Sequence, residues 1–115
     1  MNRALVVVLA LTGCAGVPLP KESLTDPGAL LFNGYVRPNV DCFSCHNGDA
    51  KGARGPGLAR AVREHSAEKL GALIRKGPGP MPAYATDVLS DEELGQIVSW
   101  LRSPPGERAG GEGKP

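Results

Sequence analysis

The chain has 115 residues, with 13 basic and 12 acidic side chains, 16 Gly, 11 Pro and only five aromatic residues. That length allows one domain at most and excludes a Rossmann enzyme, a TIM barrel and a multi-pass membrane protein; the balanced charge argues for no nucleic-acid partner. Phe, Tyr and Trp bury roughly 150–250 Å² each and dominate core energetics, so a domain this poor in them needs a staple.

Arg3 followed by the apolar run Ala4 to Leu11 reads as an export signal, because a bilayer span takes about 20 apolar residues. The run ends in Leu11-Thr12-Gly13-Cys14, which resembles the lipobox of bacterial lipoproteins. The resemblance implies cleavage before Cys14, with residues 1–13 as signal peptide, and a diacylglyceryl thioether on the Cys14 sulfur. An ordinary secretory signal cut nearby and a buried apolar segment with an incidental Cys are the alternatives. Both export readings take the chain out of the cytoplasm. Lipidation adds a membrane anchor, with the domain on the periplasmic or extracytoplasmic side; two or more acyl chains hold stably where one holds marginally.

The mature chain has 102 residues, with 12 basic and 12 acidic. Its first part, residues 14–25, carries Pro18 and Pro20 and no sustained period, and reads as a lipidated N-terminus and flexible tether. Ala15 to Thr25 extends to roughly 35 Å. The folded unit is expected over residues 26–102, followed by a Pro- and Gly-rich disordered tail over 103–115.

Asp26 is an N-cap with Pro27 at the first helical position, opening a helix through Gly28-Ala29-Leu30-Leu31-Phe32. Next comes Cys42-Phe43-Ser44-Cys45-His46, the pattern of c-type haem attachment. On one helical turn the two sulfurs reach the two vinyl groups of a porphyrin and the adjacent imidazole reaches the iron. A zinc site would need four ligands, and only His46 and His65 remain to complete it. A thioredoxin-like redox pair would need a βαβ context, and no alternating stretch reads as a strand.

Ser66 caps a second helix carrying Leu70, Leu73 and Ile74, with Gly77 as its left-handed terminator. There follows Gly77-Pro78-Gly79-Pro80-Met81-Pro82-Ala83-Tyr84. Met81 is the one methionine left after the signal is removed, and prolines on both sides restrict its loop, so its thioether can be held toward a metal at small entropic cost. It is the candidate second axial ligand beside His46; His65 is the rival, in a polar stretch where a solvated His is the plainer reading. Ser90 and Glu93 form a capping box for the last helix, and Leu94, Ile97, Val98 and Leu101 make its apolar stripe. The class is all-α, about three to five short helices with long loops.

Over residues 26–102 the sequence resembles the class I monohaem cytochromes c of bacterial, lipoprotein type. Gly28 and Phe32 are similar to the small and aromatic pair where that family's first and last helices cross, and Trp100 to the aromatic that meets them. Gly55-Pro56-Gly57-Leu58 resembles the segment whose proline carbonyl accepts a hydrogen bond from the haem histidine, here His46, fixing its tautomer. Met81-Pro82-Ala83-Tyr84 resembles the ligand segment, with Tyr84 packing on the haem.

The resemblance implies a cytochrome c fold around one covalent haem c, held by thioethers to Cys42 and Cys45 and ligated by His46 and Met81. It implies a one-electron carrier, not an enzyme; a haem subunit of a larger membrane-bound oxidase or reductase is the alternative, and a haem enzyme or gas sensor comes third. Expected partners are the membrane, through lipid on Cys14, and membrane-bound redox proteins. The sequence departs from compact members in one place. Phe32 and Cys42 are ten residues apart, and the extra stretch Gly34 to Val40 is expected to form a loop in which Tyr35 or Val40 covers a haem edge.

Overall fold

The computed structural model describes residues 16–104. The expected export signal, Cys14 and the expected tail beyond residue 104 lie outside the described residues. The described chain is all-helical: α1 Pro27–Phe32, α2 Phe43–His46, α3 Ala59–Glu64, α4 Ala67–Lys76 and α5 Asp91–Leu101, after a single 3₁₀ turn at Lys21–Ser23.

Three helices start where their capping residues place them. The Asp26 side chain accepts from the Gly28 amide at 2.8 Å ahead of α1, and Ser66 accepts from Lys69 N at 3.1 Å ahead of α4. At α5 the capping box is reciprocal: Ser90 Oγ accepts from Glu93 N at 3.1 Å, and Glu93 Oε1 accepts from Ser90 N at 2.9 Å. α4 ends at Gly77 in the left-handed conformation, φ 71°. α3 was not anticipated. It has no side-chain cap, because Leu58 stands at its N-cap.

The core forms where α1 crosses α5. The Cα of Gly28 lies so close to α5 that an added Cβ would overlap the Gln96 carbonyl and sit 2.9 Å from Trp100 Cβ. That approach lets Phe32 reach Trp100, ring centroids 4.9 Å apart and planes tilted by 54°. Both rings are buried, with Leu31, Leu89 and Ile97 around them. Burying one such side chain contributes about 1.5–3 kcal/mol, so this crossing is the main apolar anchor the protein makes from its own side chains.

The expected tether needs correction over its described part. Residues 16–24 lie along the domain as a strap: Gly16 N donates to Ser44 O at 2.9 Å, Gly48 N to Val17 O at 2.9 Å, and Leu24 is in the core. Two asparagine side chains receive its irregular backbone, Asn47 Oδ1 from Val17 N at 3.0 Å and the buried Asn33 Oδ1 from Leu19 N at 2.8 Å. Partners of this kind leave no periodic signature, which is why the segment reads as a tether. The 34–40 stretch is a loop as expected, but it is tied down. Val40 is fully buried, Tyr35 Oη donates to Leu19 O at 2.6 Å, and Arg37 Nε pairs with Glu93 at 2.9 Å.

Candidate metal centre

The Cys42–His46 motif is wound into one turn. Cys42 is the N-cap of α2, and its carbonyl accepts from Cys45 N at 3.3 Å and His46 N at 3.1 Å. A four-residue helix leaves its last carbonyls without partners of its own. The following loop supplies them: Gly55 N donates to Cys45 O at 2.7 Å and Gly52 N to His46 O at 2.8 Å. The same folding-back brings the Pro56 carbonyl to 2.8 Å from His46 Nδ1. A carbonyl only accepts, so Nδ1 carries the proton and Nε2 keeps the free lone pair that a metal needs.

α2, the 54–58 loop, α3, α4, the 78–84 loop and α5 line a partly open cavity of about 640 Å³. Cys42, Cys45, His46, Pro56, Met81 and Tyr84 all line it. The remaining walls are mostly apolar, with Leu58 and Val62 from the α3 region, Leu70, Leu73 and Ile74 from α4, and Ile97 and Leu101 from α5. These residues gain their role from position, and the one trace of it in the sequence is the apolar face of α4 and α5. Tyr35, Val40 and His65 are not among the lining residues, so neither loop residue covers the cavity. The His65 carbonyl instead accepts from Arg102 at 3.3 Å.

Burial pushes the Cys42 thiol up to about 12, with the Asp41 and Cys45 charges adding to it, so it is a neutral thiol at physiological pH. Burial likewise pushes Tyr84 up to about 12, helped by Cys42 and Asp41, and its hydroxyl stays protonated. Among the described residues no three His, Cys, Asp or Glu side chains gather into a metal-binding group, which leaves a structural zinc site without ligands. Two thiols, an imidazole with a free Nε2 and a thioether share one apolar cavity whose size suits a bound cofactor, for which about 300–1,000 Å³ is usual. The donor set and its surroundings fit haem c.

The family described as "Cytochrome C oxidase, cbb3-type, subunit III" matches over residues 26–101. The chain belongs to this family. No curated protein matches it. As a cytochrome c domain of the cbb3-type family it is an electron-transfer haem c protein with an all-helical fold. Among the described residues no helix is long and apolar enough to cross a membrane.

Proposed function

We propose that the protein is a one-electron carrier holding a single haem c, with Cys42 and Cys45 as thioether attachments and His46 and Met81 as axial ligands. It would be anchored by lipid on Cys14 to the extracytoplasmic side of a bacterial membrane. The observation that carries this reading is that the thiols, the imidazole and the thioether line one cavity. When bound, haem supplies one-electron chemistry between ferric and ferrous iron.

The chain's own residues set the conditions for that chemistry. The Pro56 carbonyl holds the His46 ring and its tautomer. Met81 offers a soft donor, which raises the reduction potential relative to a second imidazole. Were a haem held by both His46 and Met81, no position would be left open for oxygen or peroxide, and the function would be transfer without substrate chemistry. The decisive measurement is the ferric spectrum: a weak near-infrared charge-transfer band in the wild type that is lost in Met81→Ala. A wild type without the band that binds carbon monoxide readily would instead be a haem enzyme or gas sensor.

Docking rests on confinement more than on charge, since the mature chain carries 12 basic and 12 acidic residues. The strap changes how an anchor would act. From Cys14 to Gly16, whose amide is bonded to Ser44, there is at most about 7 Å of chain. The domain would therefore be held close to the membrane, at high effective concentration toward membrane-bound redox partners. The family description favours a second reading, a haem subunit fixed in a larger oxidase or reductase complex. Detergent extraction separates the two: a carrier migrates alone, a subunit with other chains.

A further inference from the structure

We propose that Arg75 is a positioning residue that clamps the Met81 loop closed, and so sets how readily an external ligand displaces Met81; this rests on Met81 being an axial ligand. The loop leaves α4 at Gly77 and returns to the same point. An added Cβ on Gly77 would lie 2.7 Å from Met81 O, 2.6 Å from Pro82 C and 2.5 Å from Ala83 N. With φ at 71° as well, the position accepts glycine and strains any other residue. The loop's internal bond, Met81 N to Pro78 O at 3.1 Å, rounds its turn without tying it to either helix.

The tie comes from the last turn of α4. Arg75 Nη1 donates to Tyr84 O at 3.0 Å and to Leu89 O at 2.6 Å, while Nη2 meets Asp91 Oδ1 at 2.6 Å. One guanidinium thus joins α4, the chain three residues beyond Met81, and the start of α5. Tyr84 and Leu89 are buried, and the Arg75 side chain is 22% exposed, so water competes weakly for the two carbonyls. The Asp91 side chain is 89% exposed, which makes the ion pair the weaker part of the clamp. The planar fork reaches all three acceptors at once; the single ammonium of lysine does not.

The test is imidazole titration of the ferric, haem-loaded protein, following the near-infrared band. Arg75→Met is expected to bind imidazole about tenfold more tightly than the wild type, the scale of one lost charge-assisted hydrogen bond. Arg75→Lys should fall between the two and carries the test if Arg75→Met does not fold. Arg60→Met, which removes the exposed Arg60–Glu64 pair on α3, should leave the affinity unchanged. Arg75 variants that lose global stability yet bind imidazole within twofold of the wild type overturn the clamp while leaving Met81 as ligand. A near-infrared band that survives Met81→Ala removes the ligand reading itself, and the clamp falls with it.

Discussion

The Pro56 carbonyl lies 2.8 Å from Nδ1 of His46, ten residues upstream. The bond uses a backbone acceptor, so replacing the side chain leaves it in place and tests the stiffness of the loop alone. Pro56→Ala should lower stability by about 0.4–1 kcal/mol through the freer unfolded chain, read from guanidinium unfolding, with the ferric spectrum unchanged. A spectral shift would mean that the proline ring itself holds the imidazole.

Gly28 is the contact point of α1 and α5, and the atom it would strike is the Gln96 backbone carbonyl. A backbone carbonyl inside a helix does not swing aside as a side-chain end does. Gly28→Ala should therefore push the helices apart and cost about 1–3 kcal/mol, although alanine favours helix in isolation. Denaturant unfolding of the haem-loaded protein measures this, and a neutral or stabilising result would contradict the close packing.

Trp100 is 1% exposed, and its Nε1 has no hydrogen-bond partner among the described residues. Its value to the fold is its area against Phe32. Removing the ring should cost about 3–5 kcal/mol, whereas Trp100→Phe, which also removes the unpaired N–H, should cost under about 1.5 kcal/mol. Equal losses for the two variants would show that the indole N–H matters.

Glu93 serves both the α5 capping box and the 34–40 loop. The hydrogen bond from Arg37, with that from the Ser90 amide, holds its carboxyl below the ordinary value of 4.5. A depressed folded value means that the pairing stabilises above pH 4.5 and that its contribution is lost as pH falls through the folded value. Unfolding midpoints between about pH 6 and pH 3 should fall less steeply for Glu93→Gln than for the wild type. Parallel curves would show that the pair contributes nothing to folding.

The strap also makes the anchoring proposal testable. A flexible insert of about six Gly and Ser residues between Ala15 and Gly16 would add roughly 12–15 Å of mean reach without touching the domain. In oriented membranes the wild type should show linear dichroism of the haem bands, and the insert should reduce it. Dichroism unaffected by the insert would mean that something other than the strap orients the domain. Cys14→Ser should release the protein from membranes; retention would remove lipid as the anchor.

What could be read directly from the residues was local. The two thiols and imidazole of 42–46, the caps at Asp26, Ser66 and Ser90, the terminator Gly77 and the restricted Met81 loop each encode their geometry within a few residues. The α1–α5 crossing was legible only through the resemblance of Gly28, Phe32 and Trp100 to the crossing residues of a known family, since residues on two separate helices carry no shared spacing. Folding of the whole chain decided the rest. α3 has no capping side chain, and Val40 sits in an irregular loop, so neither carries a local signature. Asn33, the C-cap of α1, gains its bond to Leu19 from 14 residues earlier in the chain. Arg75, in the last turn of α4, gains its carbonyl partners only where Tyr84 and Leu89 return beside it. Such bonds join irregular segments far apart in sequence, and no periodicity records them; they exist once loop closure has brought the partners together. The cavity is the largest case. Its donors are local features, but its walls come from separate helices that only the closed chain arranges around one space.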